Sequence, residues 1–195
     1  MWHFLRSKKD EFGSGKRIAE QQNSSSIGNA EHEILKHLEK MYYKILDDRS
    51  LEERLNSWRS ERKTIVFSNG CFDILHRGHV EYLSKAADLG DKLIIGLNTD
   101  DSVKRLKGSS RPVNDEKSRA VLLSALEFID AVVFFEEDTP YNLIKRVQPD
   151  VLVKGKDYKA EDIVGYDIVT GKGGKVETIE LVDGFSTTKI INKLN

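Results

Sequence analysis

Residues Asn69 to His79 read Asn-Gly-Cys-Phe-Asp-Ile-Leu-His-Arg-Gly-His, and their types and order suit phosphate chemistry. They follow the β-branched apolar run Thr64–Phe67, so a buried strand feeds a glycine turn and then a helix start. Gly70 lets the main chain approach an anion closely. A helix opening near Arg77 or Gly78 offers unpaired N–H groups and the positive end of its dipole. His76 and His79 meet on one face of the first turn, where two imidazole donors can hold a phosphate oxygen while charge builds on it. The segment is not a P-loop, and it lacks the second and third glycines of a dinucleotide fingerprint. Zinc is the rival for the two histidines, but no cysteine or third histidine stands at ligand spacing in this loop, so no metal ligands are assigned. Asp73 suits a sugar hydroxyl or magnesium, or the capping of local backbone donors. Cys71 by itself reads as a small buried residue.

The elements that must position these groups are legible as alternating runs. Strands are expected at Thr64–Ser68, Lys92–Leu97, Ala131–Phe135, Val151–Val153 and Lys175–Leu181, with helices at about Gly78–Leu89, Asp115–Phe128, Tyr141–Val147 and Thr187–Leu194. Near-continuous apolar strands separated by helices predict an α/β fold with a doubly wound, parallel, five-stranded sheet. Ligands of such sheets sit beyond the carboxyl ends of the strands. The chemistry should therefore lie in the loops that follow them.

Those loops carry further candidates. After the second strand, Asn98 and Asp100 suit hydrogen bonds to an acceptor molecule. Lys107 before Gly108 and Arg111 before Pro112 suit phosphate contacts, because a glycine–proline loop would present them. Lys104 and Arg105 read as a solvated face, and Arg119 as an exposed ion-pair partner of Asp115 or Glu116. After the fourth strand, Lys154-Gly155-Lys156 suggests an anion near backbone amides, with Lys154 the nearer contact. After the fifth, Ser186, Thr187 and Thr188 supply more hydroxyls than one helix cap requires, and the surplus suits the outer phosphates of a nucleoside triphosphate.

Before the sheet, residues 1–28 are polar and rich in Ser, Lys, Arg and Gln, a composition expected of a flexible leader. Residues 29–62 read as a helical extension. Ile34, Leu35, Leu38, Met41, Tyr42, Ile45 and Leu46 follow helical spacing, and a second helix follows Ser50 with Leu51, Leu55 and Trp58 on one stripe. The expectation is a helical pair packed on a catalytic domain of residues 63–195, or a homodimer contact.

The chain has 195 residues, with 31 basic and 32 acidic side chains giving a net charge of −1. No global field attracts nucleic acid or an anionic membrane, so phosphate binding must be local. One cysteine excludes an internal disulfide. No apolar run reaches the roughly 18 residues of a membrane span, and the N-terminus has too short an apolar core for a secretory signal. A cytoplasmic protein is expected.

The set Asn69–His79, Gly96–Asp100, Leu106–Gly108, Arg111-Pro112, Asp150–Gly155, Asp157-Tyr158 and Gly184–Thr188 resembles the heptose 1-phosphate adenylyltransferase family of the nucleotidylyltransferase superfamily. Its members occur alone or as the second domain of the bifunctional ADP-heptose synthesis protein. The likeness runs from about Thr64 to Leu194, and departs in lacking a kinase half and in its N-terminal extension. It implies a Rossmann-like nucleotidylyltransferase fold and the transfer of AMP from ATP, with Mg2+, to D-glycero-β-D-manno-heptose 1-phosphate. The products would be ADP-heptose, for lipopolysaccharide or other bacterial surface glycan, and pyrophosphate. A separate heptose kinase would make the acceptor. The implied roles place His76, His79 and Lys107 at the reacting phosphates. Asn69, Gly70, Cys71, Phe72, Gly78, Arg111, Lys154, Gly155, Ser186, Thr187 and Thr188 fall at the nucleotide, and Asp73, Asn98, Asp100, Arg119, Asp157 and Tyr158 at the sugar phosphate. Two alternatives remain: a cytidylyltransferase acting on glycerol 3-phosphate or ethanolamine phosphate, and a non-catalytic nucleotide-binding module.

Overall fold

A computed structural model describes residues 36–156, 159–182 and 184–194. The expected leader, residues 1–28, lies outside the described residues. Helix α1 (36–44) leads into a two-residue strand β1 (Ile45–Leu46) and helix α2 (Asp48–Ser60). Next come β2 (Ile65–Gly70), α3 (Arg77–Ala87), β3 (Lys92–Asn98), α4 (Asp100–Lys107) and α5 (Glu116–Ser124). They are followed by β4 (Ala131–Phe135), α6 (Tyr141–Val147), β5 (Val151–Gly155) and a 3-10 turn at Ala160–Asp162. Helix α7 (Tyr166–Gly171), β6 (Lys175–Ile179) and α8 (Thr187–Leu194) complete the described chain.

All strand pairs are parallel, in the order β1-β4-β3-β2-β5-β6. The sheet thus has six strands rather than five. The extra one is Ile45–Leu46, which the apolar spacing had placed on a helix; it pairs with Val132 and Val133 of β4. Its cause is local. Asp47 and Ser50 form a reciprocal capping box, with Ser50 N–H donating to Asp47 Oδ1 at 2.8 Å and Asp47 N–H to Ser50 Oγ at 2.9 Å. A new helix therefore starts at Asp48, and the two apolar residues before it run extended along the edge of the sheet.

Strand β2 is central, and the winding direction reverses there. The crevice between the carboxyl ends of β2 and β5 is the switch point at which such sheets bind ligands. Both faces are covered. Ile65 and Phe67 of β2 join Leu51, Leu55 and Trp58 of α2 and Leu143, Ile144 and Val147 of α6 on one side. Val66 joins Tyr82 and Leu83 of α3 and Ala120 and Leu123 of α5 on the other. Burial on both faces is why the strand sequences are nearly unbroken apolar runs. On the α3 side Ser68 Oγ lies 2.8 Å from the Tyr82 hydroxyl, which also donates to the Val153 carbonyl at 3.1 Å. This buried link ties α3 to both strands flanking the crevice.

Helix α2 fills the core of the same unit. Leu55 is 0% exposed among Leu51, Trp58 and the sheet residues. Leu55→Ala should lower unfolding free energy by about 2–5 kcal/mol, the cost of an unfilled core site, measured by urea denaturation. A loss under about 0.5 kcal/mol, the scale of a surface change, would mean that α2 does not pack as described.

Candidate active site

At the crevice, β2 ends in Asn69-Gly70 and the chain turns sharply. Phe72 adopts a left-handed backbone, φ 44°, a conformation that costs energy outside glycine and is retained at sites the surroundings over-determine. Its ring lies over Gly70, where an added Cβ would stand 3.0 Å from the ring edge. The turn delivers His76 to the cap position of α3, where its Nδ1 accepts the His79 N–H at 3.3 Å. That bond leaves the proton of a neutral His76 ring on Nε2, as a donor.

The two imidazoles are stacked, centroids 3.7 Å apart and planes 14° from parallel. The Phe72 ring meets His79 edge-on at 5.2 Å. Burial, and secondarily the neighbouring His76, push the His79 pKa down to about 4, while the Ile74 carbonyl acts weakly the other way. Burial also lowers the pKa of His76. His79 Nδ1 is buried with no well-formed hydrogen bond, as is Asn69 Oδ1. Native structures leave few such atoms unpaired, and those at clefts await a ligand or water.

A cleft of about 520 Å³ opens here. From β2, its loop and the first turn of α3 it takes Asn69, Gly70, Cys71, Phe72, Asp73 and His79, and from β3 and α4 it takes Asn98, Leu106 and Lys107. Arg111, Lys154, Thr187 and Thr188 complete the expected part of its wall. Lys154 Nζ reaches the Asn69 carbonyl at 3.4 Å. Ser186 Oγ accepts the Lys189 N–H at 3.3 Å, which makes Ser186 the helix cap and leaves the next two hydroxyls on the cleft. His76, Gly78 and Gly155 are not among the lining residues, though His76 is stacked on His79, which is. Asp157 and Tyr158 lie outside the described residues.

Several residues expected at the sugar phosphate hold the wall together. Asp73, 2% exposed, accepts from Val113 N at 2.7 Å, from Asn114 N at 3.0 Å and from Arg111 Nε. It bolts the Arg111–Asn114 loop to the turn after β2. Arg119 is neither exposed nor paired with Asp115 or Glu116; it is 0% exposed. Its Nη1 donates to the carbonyls of Cys71 at 2.7 Å and Asn98 at 2.8 Å, its Nε to that of Asn114 at 3.0 Å, and its Nη2 to Asp100 Oδ1 at 2.7 Å. Asn98 donates to Ser102 Oγ at 3.0 Å. The Cys71 thiol sits 3.9 Å from Asn98 Oδ1, and burial raises its pKa against the pull of Lys107 and Arg119, so it stays protonated.

Lys107 is presented by a helix rather than a loop. It is the last residue of α4, whose cap Thr99 accepts from Ser102 N at 3.3 Å and which stops at Gly108. Arg105 reaches the loop after β4, with Nε 2.9 Å from Asp138.

Two wall segments were not foreseen: Asp138-Thr139-Pro140 after β4, and Asp162-Ile163-Val164 after the 3-10 turn. The first was findable, because the rule about carboxyl ends applies to β4 as to the others. The second follows a chain reversal that no spacing announces. Together they add two carboxylates, Asp138 and Asp162, and apolar Pro140, Ile163 and Val164 to the lining, with Asp138 tied to Arg105 of α4. Among the described residues, no three His, Cys, Asp or Glu gather as a metal ligand set, and no helix is long and apolar enough to cross a membrane.

A parallel sheet with an imidazole pair at its switch point and a hydroxyl-bearing helix start on the same cleft is the arrangement of a nucleotidyltransferase, the class to which the chain's relatives also assign it. The chain belongs to the cytidylyltransferase-like family, whose profile matches residues 67–193. It is 54% identical over 143 residues to the bifunctional protein HldE of Nitrobacter hamburgensis, covering 73% of this chain and 29% of that one. With its counterpart from Wolinella succinogenes the identity is 48% over 177 residues, covering 91% and 34%. The chain spans about a third of the length of these curated relatives. Among solved structures it is similar to the lipopolysaccharide core biosynthesis protein of Thermoplasma volcanium, at 31% identity and a TM-score of 0.51, over 62% of this chain and 97% of that one. The pantoate-β-alanine ligase of Francisella tularensis, at 16% identity and a TM-score of 0.52 over 77% of each chain, shares the fold.

The depressed pKa of His79 makes stability depend on pH. The unfolded ring takes up a proton near its ordinary 6.5 and the folded ring only near about 4. Between those values the unfolded state is the more protonated, so stability is full above pH 6.5 and is lost as pH falls towards 4. In denaturant titrations across this window, His79→Gln should have a flatter slope than wild type. An equal slope would show that the ring titrates normally.

Proposed function

We propose that the chain is an adenylyltransferase domain that joins AMP from ATP to a sugar 1-phosphate, D-glycero-β-D-manno-heptose 1-phosphate, and releases pyrophosphate. The observation that carries this reading is one cleft shared by His79, the Thr187-Thr188 helix start and the cations Lys107, Arg111 and Lys154. The 54% identity to a bifunctional HldE protein supports the heptose acceptor and a role in surface glycan synthesis in the cytoplasm. A sugar kinase reaction would supply the acceptor.

The chemistry requires no covalent intermediate. A sugar phosphate with a second pKa of about 6 is mostly a dianion at neutral pH, so its oxygen needs no general base. That oxygen forms a bond to the α-phosphorus of ATP as the bond to the β-phosphate oxygen breaks, and pyrophosphate leaves with the electron pair. The protein's contribution is alignment and neutralisation of crowded charge. His76 Nε2–H and the His79 ring face the α-phosphoryl group and the departing oxygen as neutral donors. Neutral rings suit this task, since they add no repulsion within the stack and bind most strongly as negative charge develops. Thr187, Thr188 and the N–H groups of α8 hold the outer phosphates.

Lys107 and Lys154 balance the acceptor's charge, and Arg111 does so less, because Asp73 already neutralises it. Asp138, partly neutralised by Arg105, and Asp162 can accept from hydroxyls, so the polyol ring of the acceptor is assigned to the part of the cleft that they line. Magnesium fits as a companion of the triphosphate: of the cleft carboxylates Asp138 and Asp162, Asp138 is already paired with Arg105, so the ion would draw most of its ligands from phosphate and water. When bound it offsets charge on the phosphates.

The test is pyrophosphate release with each nucleoside triphosphate against heptose 1-phosphate, glycerol 3-phosphate and ethanolamine phosphate. The proposal expects turnover with ATP and the heptose phosphate. Release only with CTP, or none with any pair, would overturn it. In the active pairing, His79→Ala should cut kcat by about 10²–10³, the scale of one lost transition-state donor. Near-normal kcat would remove His79 from the transfer.

A further inference from the structure

Four aromatic rings from three separate segments form one series at the start of α3. Phe72 is edge-on to His79 at 5.2 Å, His79 is stacked on His76 at 3.7 Å, and Phe185 faces His76 at 6.1 Å with planes 29° apart. The inner end of the series is explained by the core, because Phe72 is 7% exposed and packed with the α3 face of the sheet. The outer end is not. Phe185 remains 40% exposed, so the ring gains little from burial, yet it is held against the histidine pair.

Two details show that its position is built. An added Cβ on Gly78 would come within 3.0 Å of Phe185 Cβ and 3.2 Å of the His76 ring. The glycine between the histidines is therefore what lets the β6–α8 segment close on the first turn of α3. The Arg77 guanidinium also stands 5.8 Å from the Phe185 ring centroid, within cation–π reach on the solvent side. Phe185 immediately precedes Ser186, the cap of α8, and Thr187, whose Oγ1 lies 3.5 Å from the Ile74 carbonyl. The residue that shields the imidazoles is thus rigidly continuous with the hydroxyls proposed to hold the outer phosphates.

We propose that Phe185 is a positioning residue for nucleotidyl transfer, an aromatic backstop that fixes the His76 ring against His79 and links that pair to the phosphate-binding turn of α8. The inference rests on the reading of the two histidines as transfer groups, and no step requires Phe185 to touch substrate. Without the backstop the His76 ring has an open rotamer path towards solvent. The Nδ1 bond that fixes its tautomer loosens, and water reaches the stack. Misplacement of a donor by even a fraction of a bond length lowers the rate more than it lowers ground-state binding.

The test compares Phe185→Ala, Phe185→Leu and Phe185→Tyr in the full chain. Phe185→Ala should lower kcat by about tenfold, on the scale of a misplaced donor, with KM for ATP within twofold. By histidine-selective NMR without substrate, its His76 and His79 titrations should move up towards the ordinary imidazole range. Phe185→Tyr, which keeps the ring, should restore both, whereas Phe185→Leu should restore neither fully. Unchanged kcat and unchanged titrations in Phe185→Ala would overturn the proposal. Full recovery by Phe185→Leu would also do so, since bulk rather than a ring would then suffice. The NMR readout needs no turnover, so an incorrect acceptor would silence the kinetic arm alone and leave the titrations to decide.

Discussion

The site depends on one buried cation. The Arg119 guanidinium takes the carbonyls of Cys71 and Asn98 at the carboxyl ends of β2 and β3, the Asn114 carbonyl before α5 and the Asp100 carboxylate into a single planar fork. A charge with no exposed surface is costly unless it is fully hydrogen-bonded, and here the bonding is nearly complete. Lysine could not reproduce the arrangement, because an ammonium lacks the rigid geometry that reaches several acceptors in one plane. Asp73 repeats the logic with opposite sign, gathering two backbone N–H groups and Arg111. Loops that would otherwise move independently become one wall.

That wall gives the cleft its polarity. The lining brings His79, two threonine hydroxyls and lysines together with Asp138 and Asp162. The imidazoles are kept neutral by burial rather than by a hydrogen-bonded carboxylate. This suits a reaction that needs donors to a developing charge and no base.

Much of this was legible from residues alone, for identifiable reasons. The Asn69–His79 segment stood out as a candidate because a strand, a glycine turn and paired imidazoles coincide within eleven positions. The parallel sheet was legible because strands buried on both faces lose their alternation. Other features were hidden. Ile45 and Leu46 fit a helical stripe as well as an edge strand, and only the Asp47–Ser50 capping box separates the two. Helix α4 has few apolar residues, and its signal lay instead in acidic Asp100 and Asp101 at one end and basic Lys104, Arg105 and Lys107 at the other. Arg119 looked like a surface partner because its neighbours in sequence are acidic. Its true acceptors are carbonyls 5 to 48 positions away, which no local spacing reveals.

The most direct measurement is a crystal structure with magnesium and a non-hydrolysable ATP analogue. The α-phosphate should lie beside the His76–His79 stack and the outer phosphates on the Thr187-Thr188 helix start, with the Asp138–Pro140 segment left open for the second substrate. A triphosphate seated away from both rings, or reaching the rings without touching the α8 turn, would contradict that placement.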